Sequence, residues 1–251
     1  AVVDAREGGG EQTAEPVPWD DPERILSDEQ RQWLRPLGGV ERGAAWLLHG
    51  VNRGLMRLLF RVRVEGAERI PAEGPLLFMP NHASYLDSPA LAAALRWPLL
   101  RQTRWAGWTG TAFNNVLQRA LSRLAGAVPV DPDRAAASSL ALGAVVLRKG
   151  ENLVWFPEGR RSVDGRLQSF RPGIGMLLDH FDATVVPVFI AGSAAALPVG
   201  ARWIRLHRIT VRFGDPVPAR EVRSQPKGSN DPDVMASKLH DQLSDLGGPD
   251  A

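Results

Sequence analysis

Short apolar runs separated by helix-length segments constrain this chain more than any other feature. Residues 76–79, 152–156 and 184–190 read as strands, the first apolar enough to be buried on both sides. Residues 61–64 form a further short strand and 209–213 an edge strand. Between them lie helical segments. One is capped by Ser88, with Pro89 at its first position, and runs to Arg96. Another spans about 134–148 and closes at Lys149 and Gly150. The others cover 173–181 and 231–246. Strands alternating with helices pair largely in parallel, because each helix carries the chain back to the same end of the sheet. The expected fold class is α/β, a mostly parallel sheet flanked by helices, with an N-terminal amphipathic helical segment.

With 251 residues, 44% of them hydrophobic and 23% charged, the chain is an ordinary globular sequence that can bury a full core. It has no cysteine, which excludes disulfides, zinc–thiolate sites and a thiol nucleophile. No apolar run approaches the roughly 18 residues that span a bilayer, and no secretory leader is read at the start. The chain opens on Ala1, so a longer parent polypeptide is expected.

The net charge of +2 hides an uneven distribution. Residues 1–40 hold nine acids against four arginines, whereas residues 41–134 hold twelve arginines against seven acids. Lysine occurs only at Lys149, Lys227 and Lys238. Arginine binds two phosphate oxygens at once through its planar fork, although arginine-rich codon usage produces the same skew. Residues 1–21, with Gly8-Gly9-Gly10 and six acids, read as a flexible leader or linker. Residues 22–60 read as a helical segment and 61–251 as the main domain. Ser27 and Gln30 have capping-box spacing. Across 40–63, Leu47, Leu48, Val51, Leu55, Leu58 and Leu59 recur at helical spacing among Arg42, Arg53, Arg57 and Arg61. Such a helix suits a membrane interface, with Trp46, Leu47 and Phe60 entering the lipid; the bland alternative is a stripe packed on the domain.

Two motifs carry chemistry. Asn81-His82-Ala83-Ser84-Tyr85-Leu86-Asp87 places an imidazole and a carboxylate five positions apart. On one continuous helix they would point in different directions. They meet if His82 leaves a strand and Asp87 sits just before the next helix, whose N-terminus favours its negative charge. Phe156-Pro157-Glu158-Gly159-Arg160-Arg161-Ser162 supplies a glycine turn bearing guanidinium groups. A base held by an acid, beside a cationic cradle, suits acyl transfer onto a hydroxyl near a phosphate. A third metal ligand is absent from the first motif, as are a Gly-x-Ser-x-Gly elbow and the nucleotide-binding glycine loops elsewhere.

Together these blocks resemble the PlsC-like glycerolipid acyltransferase family, which includes lysophosphatidic acid and glycerol-3-phosphate acyltransferases. Val64-Glu65-Gly66, Ile70-Pro71 with Gly74-Pro75, Phe170-Arg171-Pro172-Gly173 and Val185-Val186-Pro187-Val188 match further parts of its pattern. The likeness covers residues 61–218. A weaker likeness at 20–60 is to the segment that follows an acyl-activating, AMP-binding domain on the same polypeptide in some bacterial proteins.

The resemblance implies His82 as general base and Asp87 as its orienting acid. It implies an acyl-CoA or acyl-carrier-protein thioester as donor, no cofactor, no metal and no covalent acyl-enzyme. Asn81, Glu158, Gly159, Arg160, Arg161 and Ser162 would serve substrate binding. Arg160 stands where the family usually has threonine. Arg134 is displaced from the family's phosphate-binding arginine and is either a ligand or a surface residue at a helix start. The implied product is a phospholipid, with lysophosphatidic acid as acceptor and the cytoplasmic face of the cell membrane as the place, without nucleic acid. Another lysophospholipid or lipid acceptor, or a non-catalytic lipid-binding module, are the alternatives.

Overall fold

A computed structural model describes residues 17–131 and 135–251. Residues 1–16, which are most of the expected leader, and Arg134 lie outside the described residues. Strands β1 (Arg63–Glu65), β2 (Leu76–Pro80), β3 (Thr103–Trp108), β4 (Ala127–Val130), β5 (Asn152–Val154), β6 (Thr184–Ala191), β7 (Thr210–Phe213) and β8 (Val217–Pro218) form one sheet. Among the described residues its order is β1-β7-β6-β2-β5-β3-β4, with β8 alongside β6. Neighbours from β6 through β2, β5 and β3 to β4 run parallel. Strands β7 and β8 run antiparallel to β6, and β1 runs parallel to β7.

The helices are α1 (Asp28–Trp33), α2 (Gly39–Phe60), α3 (Asp87–Ala94), α4 (Trp97–Leu100), α5 (Thr109–Ala112), α6 (Val116–Leu124), α7 (Ala136–Arg148), α8 (Gly173–His180), α9 (Ser193–Ala196), α10 (Ala219–Val222) and α11 (Pro232–Gly247). Every residue of β2 is buried, as expected of a strand covered on both faces. Residues Leu142, Val145 and Val146 of α7, Leu177 and Leu178 of α8, and Leu239 and Leu243 of α11 pack into the same core. Gly175 marks a close crossing: a Cβ there would strike the backbone of Pro232.

Two expectations about these elements are corrected. Residues 209–213 do not form an edge strand, because β1 hydrogen-bonds along the outer side of β7. Ser88 does not cap the helix after β2; α3 begins at Asp87, two residues before the expected first position at Pro89, and the Asp87 carboxylate serves the preceding turn instead. Strands β3 and β4 and helices α4 to α6 were not expected from the sequence. The capping box at Ser27 forms in full, with Gln30 N–H on the serine hydroxyl and Ser27 N–H on the Gln30 side chain.

Helix α2 is opened by the Glu41 carboxylate, which accepts the Gly38 N–H at 2.7 Å. It buries only Ala45, Met56 and Phe60. Phe60 therefore belongs to the core and not to an outward stripe. Arg53 also turns inward, its guanidinium donating to the Ala93 carbonyl at 2.6 Å, while Asn52 holds the Pro89 carbonyl at 2.9 Å. These bonds tie α2 to α3. Trp46, Leu47 and Leu58 stay 60, 61 and 76% exposed. No helix among the described residues is long and apolar enough to cross a membrane.

Candidate active site at the carboxyl ends of the parallel strands

Strand β2 ends at Pro80, and the next residues are fixed by the strand beside it. The Asn81 side chain donates to the Ile190 carbonyl at 3.2 Å and accepts the Ile190 N–H at 2.7 Å, copying a sheet pair after β2 has ended. The chain then turns tightly into α3. In that turn Asp87 is fully buried, and its Oδ2 accepts three hydrogens: from the Ala83 N–H at 2.7 Å, the Ser84 N–H at 2.8 Å and His82 Nδ1 at 2.9 Å. Asp87 Oδ1 is buried without a partner among the described residues, so the donors converge on the oxygen facing the imidazole. With Nδ1 carrying the proton for Asp87, His82 Nε2 is left as a base.

The second motif clasps the first from the opposite side. Glu158 Oε1 accepts the His82 N–H at 2.6 Å, and the His82 carbonyl accepts the Ser162 N–H at 2.7 Å. The Phe156 ring leans on the imidazole at 4.2 Å. Glu158 Oε2 accepts the Gln168 N–H at 3.0 Å. Burial pushes the Glu158 carboxyl up to about 8; the His82 and Gln168 N–H groups oppose that rise, and the charge of Asp87 adds to it. Ser162 is buried, its hydroxyl donating to Asp164 at 2.8 Å.

Arginine side chains gather on this loop. The Arg161 guanidinium lies 3.5 Å over the ring of Tyr85, a residue of the first motif. Arg160 is exposed beside it. Gly159 adopts φ +72°, and a Cβ there would meet Arg171 Nε at 2.5 Å. The glycine is required both for the turn and for the close approach of that arginine.

The residues expected from the sequence, His82, Asp87, Asn81, Glu158, Gly159, Arg161 and Ser162, are thus brought together at one end of the sheet, with Arg160 at its rim. The Asn81 and Glu158 side chains are committed to backbone partners and the Ser162 hydroxyl to Asp164, so these groups hold the two loops. Phe156, Tyr85 and Arg171 were not singled out as site residues. The signal for Tyr85 was available, since it is the chain's sole tyrosine and falls inside the first motif. No cluster of three or more metal-ligating residues occurs among the described residues.

A second concavity of about 730 Å³ lies between α2, α3 and the outer part of the sheet, with Trp46, His49, Pro89, Trp97, Trp105 and Leu121 in its wall. That volume is typical of small-molecule sites, which span roughly 300–1,000 Å³.

The family model described as Acyltransferase matches residues 61–191, which is 131 of 251 positions. The chain belongs to the acyltransferase family. Both motif loops and the strands that launch them fall inside the matched region. The chain is 31% identical over 152 residues to 1-acyl-sn-glycerol-3-phosphate acyltransferase LPAT1, chloroplastic, of Arabidopsis thaliana, covering 59% of this chain and 41% of that protein. It is 30% identical over 138 residues to the human 1-acyl-sn-glycerol-3-phosphate acyltransferase alpha, covering 52% and 46%. The chain spans about half the length of the curated relatives it matches. The crystal structure of the 1-acyl-sn-glycerophosphate acyltransferase PlsC from Thermotoga maritima superposes with a TM-score of 0.65 at 18% identity, covering 90% of this chain and 85% of that one, and shows the same fold.

Proposed function

We propose that this acyltransferase moves a fatty acyl group from an acyl-CoA or acyl-carrier-protein thioester to the free hydroxyl of lysophosphatidic acid. The observation that carries the reading is the His82–Asp87 contact at 2.9 Å, which leaves Nε2 free beside a loop of arginines. In this mechanism Nε2 removes the acceptor's hydroxyl proton as the oxygen attacks the thioester carbonyl. The tetrahedral intermediate collapses, the carbon–sulfur bond breaks, and the imidazolium returns its proton to the departing thiolate. Asp87 stabilises the imidazolium and fixes the tautomer. No covalent acyl-enzyme is needed, which fits a chain without cysteine. Arg161 and Arg160 bind the acceptor's phosphate, with Arg161 pre-oriented by Tyr85. Asn81, Glu158 and Ser162 position the two loops. The apolar concavity along α2 accommodates an acyl chain.

The place of action in this reading is a membrane surface on its cytoplasmic side. Helix α2 supports it by presenting Trp46, Leu47, Leu55 and Leu58 outward together with Arg42, Arg57 and Arg61. An acyl-activating domain on the same polypeptide is a natural source of the donor.

The test is product analysis by mass spectrometry, with purified protein, acyl-CoA and a panel of lysolipids. Phosphatidic acid is expected as the dominant product. Preferred acylation of a lysophospholipid with a larger head group would replace the acceptor, and lipid binding with no acylated product would leave a binding module.

A further inference from the structure

Residues 198–208 connect the end of β6, through α9, to β7, and the site described above does not use them. Their sequence interleaves cations with large apolar residues: Arg202, Trp203, Ile204, Arg205, Leu206, His207, Arg208. Every residue from 200 to 208 is exposed, and Trp203 and Leu206 are 84 and 77% exposed. No acid occurs in the sequence between Asp182 and Asp215, so none adjoins the three arginines along the chain. Water-exposed tryptophan, isoleucine and leucine in one short segment are costly unless something covers them.

The base of this loop is pinned to the active site. The Ser84 hydroxyl, inside the first motif, donates to the Leu197 carbonyl at 2.8 Å. The Arg205 N–H donates to the Ala196 carbonyl at 2.7 Å, and Gly192 at φ +84° leaves room only for the backbone of Arg208. The far end of the loop is joined to α2. The Ile209 N–H donates to the Phe60 carbonyl at 3.0 Å, which sets Arg208 beside the end of the helix that carries Leu58 and Arg61. The loop that carries Trp203 and Leu206 therefore ends where α2 ends.

We propose that residues 200–208 are a second membrane-contact element, inserting Trp203, Ile204 and Leu206 into an anionic lipid surface at the mouth of the active site. This inference rests on the reading of α2 as a peripheral membrane helix. Charge complementarity selects the occupant: arginines meet anionic headgroups while the apolar residues between them enter the boundary of the acyl chains. Tryptophan is the side chain that settles at that boundary. Two contacts, one along α2 and one beside the catalytic turn, fix the orientation of the protein on the bilayer. The acceptor then enters from the lipid layer without crossing water.

The absence of cysteine makes the test specific, because a single introduced thiol is the sole labelling site. Trp203→Cys, carrying an environment-sensitive dye, is bound to phosphatidylglycerol-containing vesicles and exposed to a quencher attached to lipid chains. Leu206→Cys is the second probe position. Ser229→Cys is the control, since residues 223–230 lie with Asp182 at the opposite end of the sheet. The emission at 203 and 206 should shift to the blue and fall by about twofold or more with the quencher, and the control should stay unchanged. Replacing Arg202, Arg205 and Arg208 by glutamine should weaken vesicle partitioning at low salt by on the order of tenfold to a hundredfold. Sedimentation with vesicles while both loop probes remain in water would overturn the inference and leave α2 as the docking element. Protein that stays in the supernatant would overturn both. A response at 203 to an acidic acyl-carrier protein but not to vesicles would make the loop a protein contact and also overturn the inference.

Discussion

The catalytic turn and helix α2 lie side by side and are built on opposite plans. Around His82 almost every polar group is engaged: Asp87 Oδ2 accepts three donors, Glu158 bridges two loops, and Asn81 bonds both ways to β6. Along α2, by contrast, three residues are buried, two side chains anchor the helix to α3, and the leucine stripe faces outward. In the function proposed above, the difference separates two jobs. Proton transfer needs a geometry fixed to a fraction of an ångström, which a buried turn with most of its polar groups bonded provides. Contact with a fluid lipid surface needs exposed apolar area and unneutralised cations, which would be a defect on an isolated globular domain.

Substitutions in the two regions should therefore fail in different currencies. The largest effect is expected at Asp87. Asp87→Asn removes the group that fixes the His82 tautomer and leaves two backbone N–H groups facing an amide. Turnover should fall by a factor of roughly 10² to 10⁴, with a measurable drop in thermal stability. Near-normal turnover would mean that the tight turn is scaffolding only.

Glu158 offers a pH-dependent test of the clasp. The folded protein keeps this proton up to about 8, while an unfolded carboxyl of this type releases it near 4.5. Between those values the folded state binds more protons, so this group makes stability fall as pH rises through the window. Denaturation of the wild type across pH 5 to 8 should show a component of about 1–3 kcal/mol from this source, absent in Glu158→Gln. A wild-type curve no steeper than that of the variant would refute the buried, proton-holding carboxyl.

Arg161→Lys keeps the charge but loses the fork and the stack on Tyr85. It should raise the apparent KM for the phosphate-bearing acceptor by about tenfold with little change in the donor's. An effect confined to the donor would reassign the loop. The smallest structural effect belongs to α2. Leu55→Gln with Leu58→Gln should change unfolding free energy by no more than about 0.5 kcal/mol each, as for exposed positions generally. Vesicle binding should nonetheless fall severalfold. A large loss of stability would show that the stripe is packing surface after all.

The strands that launch the two motif loops were legible because they are short, largely apolar runs whose residues are all buried. Strand β3 was not, since Arg104 and Gly107 break any such run. Arg104 is tolerated inside only because Glu151 accepts from it at 2.7 and 3.2 Å, a partner 47 positions away that no local pattern reveals. The pairing of His82 with Asp87 was readable from their spacing around a strand-to-helix turn. The start of α3 lies two residues before the position the sequence suggests, because Ser88 followed by Pro89 imitates a helix cap. Pairings such as Arg161 on Tyr85, and Arg171 over Gly159, join separate loops and depend on the sheet bringing those loops to one end. The inward turn of Arg53 likewise depends on where α3 ends, which the α2 sequence does not encode.

The central claim is that His82 Nε2 takes the proton of the acceptor hydroxyl. The direct measurement is the single-turnover rate of acyl transfer to lysophosphatidic acid by His82→Ala, beside its thermal midpoint. A rate lowered by a factor of roughly 10² to 10⁴, with an unchanged midpoint and undiminished binding of both substrates, is the predicted result. Transfer at close to the wild-type rate would contradict it and remove His82 from the chemistry.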